Sequence, residues 1–513
     1  MIKRIAVFAT FLMLFATVTA PVLAQGAVPG TGVNYTWLLP VALMLFLPIG
    51  LILLISSAMP EERAPAAAIN LLVVWAVAVL GYFFVGFALN FGGIAQITPQ
   101  PDLAGLYWEW YPFDQSVDAD VARLWGVVAL RGWALSGEAT TTGALLLFLS
   151  NASLVGASAM IPAGVLLERG RGAAAVFAGL LVGTLIYPVA GNWLWGGGWL
   201  SNLGASLELG HGFVDFGGAS VVFLIGAAVA LAALLLFRPA AVETTLPEQL
   251  PHSENELPDA TPMPSAYLPI LSMLGGGLVL MGWFGLSSGL QNPTTINISP
   301  EHAAVAGLLA ALGGAFSAAA YSWFTTQVAN PLMTSRGLLA GLIVGIAGAP
   351  FMPIWISLVA GLLMGLILPP LIYLLNNKLR LVDTLGTLTT FGISGFISLL
   401  LVGFFADGTA GQNWNRVGPV DYLGVSGQGV SALVVAPDYV ADWPGQIQAQ
   451  LLGGGAVFVW ALLLSAILFQ IYLAVANAWA RTKSVEEVEP PPAAEPESEI
   501  IGPTPGDDTP AAL

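Results

Sequence analysis

Apolar residues run along this chain in blocks of about twenty, separated by short polar stretches that hold most of the charge. One block is typical. From Phe216 to Phe237 no residue is charged, while Asp215 stands before the block and Arg238 after it. At about 1.5 Å of rise per residue, a run of about 18 apolar residues crosses a bilayer as a helix. Eleven blocks of this kind follow one another, near 36–57, 66–89, 142–167, 174–195, 214–237, 267–288, 303–325, 337–355, 357–376, 384–405 and 448–478. Lipid offers no hydrogen bonds, so each block must pair its own backbone as a helix. The pattern predicts an all-α polytopic membrane protein. Gly337, Gly341 and Gly345, and then Gly361 and Gly365, recur every fourth residue. That spacing lets helix backbones approach closely in lipid.

Composition agrees with the pattern and narrows it. Hydrophobic residues make up 57% of the 513 and charged ones 9%, against about 25% charged in soluble domains. The absence of cysteine excludes disulfides, thiolate catalysis and cysteine metal sites. A net charge of −16 with no basic cluster excludes a nucleic-acid footprint.

Residues 1–24 read as a signal peptide: Lys3 and Arg4, an apolar stretch, then "VLA" before Gln25. The alternative is an uncleaved first span. With the N-terminus outside, nine cationic residues fall on inner segments (Arg63, Arg169, Arg171, Arg238, Arg336, Lys378, Arg380, Arg481, Lys483) and three on outer ones (Arg123, Arg131, Arg416). This is the positive-inside bias of a multi-pass protein of the cell membrane with a cytoplasmic C-terminus. The expected organisation is therefore a signal peptide over 1–24, a membrane domain over 25–480 and a disordered acidic tail over 481–513. The outer segments 90–140 and 406–447 are rich in Trp, Tyr, Gly and Pro, which suits the lipid–water interface. The inner loop 239–265 lacks the apolar residues to fold alone.

Buried ionisable residues are the usual mark of chemistry in a membrane, and here they stand at span edges. Asp215 and Asp383 each precede a span and read as helix caps, with a cation site as the alternative. No metal-ligand spacing, nucleophile–base pair or phosphate loop occurs, so no cofactor or metal is expected. A channel or transporter, or a receptor without transport, remains.

Six segments, in order, resemble the ammonium transporter (Amt/Rh) superfamily over about 34–478. They are "LERGRG" at 167–172, "WGGGWL" at 195–200, "DFGGASVV" at 215–222, "GWFGLSSG" at 282–289, "DTLGTLTTFGISG" at 383–395, and "FADGTAGQNWN" with the later "GQIQAQLLG". The resemblance implies an ammonium-transporter-like fold: eleven transmembrane helices, two inverted five-helix repeats, and a homotrimer with one narrow pore per subunit. Asp215 would be a structural cap, and Asp383 its counterpart in the tenth span. Of the family's outer ammonium site, Trp195 matches, while the Phe positions fall on Leu154 and Leu286 and the Ser position on Leu290. The two pore histidines fall on Phe223 and Leu388, which would face each other. The tail lacks the family's Gly-Leu-Asp…His-Gly pattern, which tells against a PII-type signalling partner.

A Trp face attracts a cation by about 0.5–2 kcal/mol, far less than the hydration an ion gives up. A stretch lined by Phe and Leu tends to dewet and close to ions. Three readings stand: a transporter of ammonium or ammonia with altered conduction, a non-conducting sensor-like relative, or a conduit for another small neutral solute or gas.

Overall fold

The computed structural model describes residues 36–112, 124–237, 264–293 and 297–486. The expected signal peptide, most of the inner loop 239–265 and the tail beyond Glu486 lie outside the described residues. The tail's first residues, 481–486, continue the last helix.

Ten helices are long and apolar enough to cross a bilayer. They are α1 (Leu38–Ser57), α2 (Ala64–Gln96), α3 (Thr142–Glu168), α4 (Gly172–Leu194), α5 (Ala219–Leu236), α6 (Ser265–Leu286), α7 (Pro300–Thr326), α9 (Ile354–Lys378), α10 (Leu388–Phe405) and α11 (Gly445–Glu486). The shorter α8 (Pro331–Ile346) completes the eleven. Among the described residues, strand is confined to two small antiparallel hairpins in the loops. These are β1 (Glu109–Trp110) with β2 (Val128–Ala129), and β3 (Asp421–Tyr422) with β4 (Val425–Ser426).

Local chemistry sets the helix starts. Ser299 and Asn330 accept hydrogen bonds from the backbone N–H of His302 and Met333, and a proline follows each as the first helical residue. This cap starts α8 at Pro331, earlier than the apolar run suggests. The helix ends at Ile346, ahead of the expected boundary, because "AGAPFMP" follows with two prolines.

The packing repeats itself. Helix α3 packs against α2, α4 and α5, and α2 also meets α4. In the second half α8 packs against α7, α9 and α10, and α7 meets α9. Helix α1 lies along α6 and joins the two halves. Five helices are an odd number, so the second set enters from the opposite end. The result is a pair of inverted five-helix repeats, with α11 added. Close contact depends on glycine: a Cβ on Gly314 would lie 2.2 Å from the Gly337 carbonyl oxygen, and one on Gly361 2.1 Å from that of Ala310.

Three of the cations expected on the inner side meet at one end of the bundle. Arg63 donates to the Glu168 carbonyl at 3.2 Å. Arg169 donates to the carbonyls of Phe237 (2.5 Å) and Val382 (3.2 Å), and Arg336 to that of Thr384 (3.0 Å). Glu168 and Phe237 stand at helix C-termini, where positive charge is favoured.

Exposed positions at the two ends allow a topology test. Ser136 follows β2, and Val328 lies between α7 and α8. Because the chain has no native cysteine, Ser136→Cys should react with a membrane-impermeant thiol reagent on intact cells, and Val328→Cys only after lysis. The reverse pattern would invert the orientation.

Candidate permeation path

Helix α5 does not begin at residue 214, where the apolar run begins. Residues 211–218 form a non-helical, turning cap held from several sides. Gln446 and Gln450, one turn apart on α11, clamp its backbone. Gln446 accepts from the His211 N–H (2.9 Å) and donates to the Gly212 carbonyl (3.0 Å). Gln450 accepts from the Val214 N–H (2.9 Å) and donates to the Val214 carbonyl (2.7 Å). The Trp195 indole N–H donates to the Asp215 carbonyl at 3.0 Å, and Gln291 donates to the Phe216 carbonyl at 3.0 Å. Gly218 turns the chain into the helix at φ +79, a left-handed value that glycine adopts without strain. A Cβ there would approach the Trp195 ring to 3.2 Å.

Asp215 is buried, and both its oxygens are occupied. One accepts the Ala219 N–H at 2.9 Å, the other the Ser220 N–H at 2.7 Å and the Ser220 hydroxyl at 2.6 Å. Burial pushes its carboxyl above the usual range, and the bonds from Ser220, Ala219 and Gly218 oppose that shift. Asp383 repeats the arrangement before α10. Its oxygens accept the N–H groups of Thr387 (2.9 Å) and Leu388 (2.7 Å). Both carboxylates thus bond the amides four and five residues on, and in both helices the first turns are π-helical. In both repeats the carboxylate caps the start of its helix.

The repeat fixes which side chains meet. Phe223 lies eight residues after Asp215, and Phe391 eight after Asp383. Their rings stack with centroids 6.0 Å apart and planes 7° apart. Leu388 is the residue expected to face Phe223. It sits in the first turn, bonded through its N–H to Asp383, and lines an outward apolar groove with Leu224, Leu375 and Phe396. The partner of Phe223 is Phe391, and the signal that finds it is the equal spacing from the two aspartates.

Toward the loop-rich end, Trp195, Leu154 and Leu286 are buried and Leu290 is half-buried. A polar group stands beside them that the sequence reading missed. Gln291 is fully buried, and while its Nε2 binds Phe216, its Oε1 has no partner. Its backbone carbonyl accepts from Asn151 at 3.2 Å, and Asn151 in turn accepts from the Tyr187 hydroxyl at 2.9 Å. Because Trp195 and Gln291 bond adjacent carbonyls, an aromatic face and an uncommitted acceptor occupy one neighbourhood. His211 is buried at the same end, against Tyr422 at 4.4 Å. Burial lowers its pKa to about 3, so its imidazole is neutral.

The model of the "Ammonium Transporter Family" matches residues 35–495. The ammonium transporter Amt2 of Archaeoglobus fulgidus is 28% identical over 422 residues, covering 80% of each chain. Ammonium transporter Amt1 of Haloferax mediterranei is 26% identical over 464 residues, covering 88% of this chain and 76% of its own. Among solved structures, a "Sensor Amt Protein" superposes with a TM-score of 0.61 at 20% identity, over 86% of this chain and 93% of that one. Mep2 of Saccharomyces cerevisiae gives 0.60 at 18% identity, over 88% and 90%. At these identities the structures speak for the fold alone.

The caps give a stability test. Asp215→Ala leaves two helix-start amides and the Ser220 hydroxyl without their acceptor, and should cost about 2 kcal/mol. Thermal unfolding in detergent should show a clear fall in midpoint for Asp215→Ala and for Asp383→Ala. An unchanged midpoint in both would mean that the carboxylates do not hold these helix ends.

Proposed function

The chain belongs to the ammonium transporter family, and on that premise we propose that it passes ammonia in the neutral form and refuses the ammonium ion. The observation that carries this reading is the Phe223–Phe391 stack. Each ring lies at the same spacing from its capping aspartate, in equivalent helices of the two repeats. A solute on the axis between the repeats meets two aromatic rings there and no acceptor.

The outer station would be the Trp195 face with the Gln291 Oε1. The ring offers cation–π attraction, about 0.5–2 kcal/mol, and the amide oxygen offers a hydrogen bond. Together they can hold ammonium at the mouth. Passing the rings as an ion would require stripping the rest of its hydration, which an apolar slot does not replace. Ammonia sheds its water at far lower cost, so the proton stays behind. We place the protein in the cell membrane, with the N-terminus outside and the C-terminus in the cytoplasm. We also propose that it assembles as a homotrimer. The outward side chains Phe316, Trp323, Phe324 and Trp355 on α7 and α9 are exposed in the single chain and call for a cover of lipid or of a second subunit.

Two measurements follow. In liposomes holding the purified protein, an inward ammonia gradient should alkalinise the lumen faster than in protein-free vesicles, while an ammonium jump on a solid-supported membrane gives no protein-dependent current. A robust current would contradict the neutral reading, and neither signal would favour a non-conducting relative. Native mass spectrometry from mild detergent should give a trimer; monomers alone under gentle conditions would count against it.

A further inference from the structure

Past the aromatic pair, at the end where Arg63, Arg169 and Arg336 gather, lies a cavity of about 20 Å³ between α1, α3, α8 and α10. That is room for about one molecule the size of water. Its wall includes Ile55, Ile161, Arg336, Thr387, Thr390 and Phe391. Phe391 belongs both to this wall and to the stack on Phe223, so the cavity is the next space along the same line.

The wall is unusual in its charge. Arg336 is 8% exposed and rises from the second turn of α8. It donates to the Thr384 carbonyl at 3.0 Å. Gly386, at φ +64, carries the loop close beneath it: a Cβ on that residue would lie 3.7 Å from the Arg336 Cζ. Asp383 and Glu168 are near enough to attract the guanidinium, and neither lines the cavity. Asp383 turns its oxygens to the Thr387 and Leu388 amides, away from the wall, and its charge offsets part of that of the guanidinium. Arg169, beside Glu168, adds a second positive charge to this end. The Thr390 hydroxyl is buried in the wall without a partner.

We infer that Arg336 is the residue that sets charge selectivity at the inner mouth: it admits a neutral solute and bars a cation even where the aromatic slot is wet. A guanidinium stays protonated in a protein. A second cation in a space this small stands beside it, with no carboxylate on the wall and in a medium that screens poorly. A neutral molecule meets no such repulsion, and the Thr390 hydroxyl offers it a hydrogen bond. The two barriers are therefore separate, one of hydration at Phe223 and Phe391 and one of charge at Arg336. This inference rests on the permeation reading above, and the test separates the two.

Four proteins are compared in liposomes: the native chain, Phe223→His with Phe391→His, that double variant with Arg336→Ser, and the double variant with Arg336→Lys. Each is assayed for lumen alkalinisation and for ammonium current. The double variant should remain almost without current, and the added Arg336→Ser should raise it more than about tenfold, as expected on removing a nearby like charge. Arg336→Lys keeps the charge and should stay silent. A fold-maintaining role alone would not make lysine silent while serine conducts. Equal currents in the double and Arg336→Ser variants would overturn the inference, as would a silent Arg336→Ser variant whose neutral flux persists. If the native chain shows no neutral flux, the permeation reading fails first and the selectivity role falls with it.

Discussion

A helix that begins inside a membrane protein must find partners for its first amides, because no water is there to take them. In this chain two carboxylates supply them. Asp215 and Asp383 each bind the amides four and five residues on. Their own burial is tolerable because those amides, with the Ser220 hydroxyl, satisfy their oxygens. Everything along the axis is placed relative to these two points. Eight residues from each stands a phenylalanine, and inverted repeats bring the two rings together.

The surroundings of the first cap show how much is invested in it. Two glutamines of α11, Trp195 and Gln291 all bond the backbone between His211 and Phe216. These bonds fix where the helix carrying Phe223 begins. The second cap is held with fewer bonds: the Asn376 side chain accepts from the Asp383 N–H at 2.6 Å and donates to its carbonyl at 3.2 Å. The loop-rich end thus carries an aromatic face and an amide oxygen, and the other end a guanidinium. On the proposed path the stacked rings separate an outer station built to attract a cation from an inner one built to repel it.

Much of this architecture was legible in the sequence, for a physical reason. Lipid forces each span to be apolar along its whole length, so the eleven blocks stand out. The site was legible only in part. The family resemblance put the second pore position on Leu388, five residues after Asp383, whereas the internal echo of Asp215 and Phe223 calls for eight and gives Phe391. Gln446 and Gln450 were not singled out: one precedes the apolar block 448–478 and the other stands near its start, though their spacing of four places both on one helix face. Gln291 could not be singled out, because its importance lies in which carbonyl it reaches. Nor could Arg336, counted first as one more inner cation. Only the packing of α8 against α10 turns its side chain into a wall of the cavity.

The most direct test of this account is a high-resolution electron cryomicroscopy map of the full chain in a lipid nanodisc. The account predicts Phe223 and Phe391 stacked near parallel, at about the 6.0 Å separation found here, with no ordered solvent between the rings. Rings swung apart around a continuous file of solvent density from Trp195 to Arg336 would contradict it.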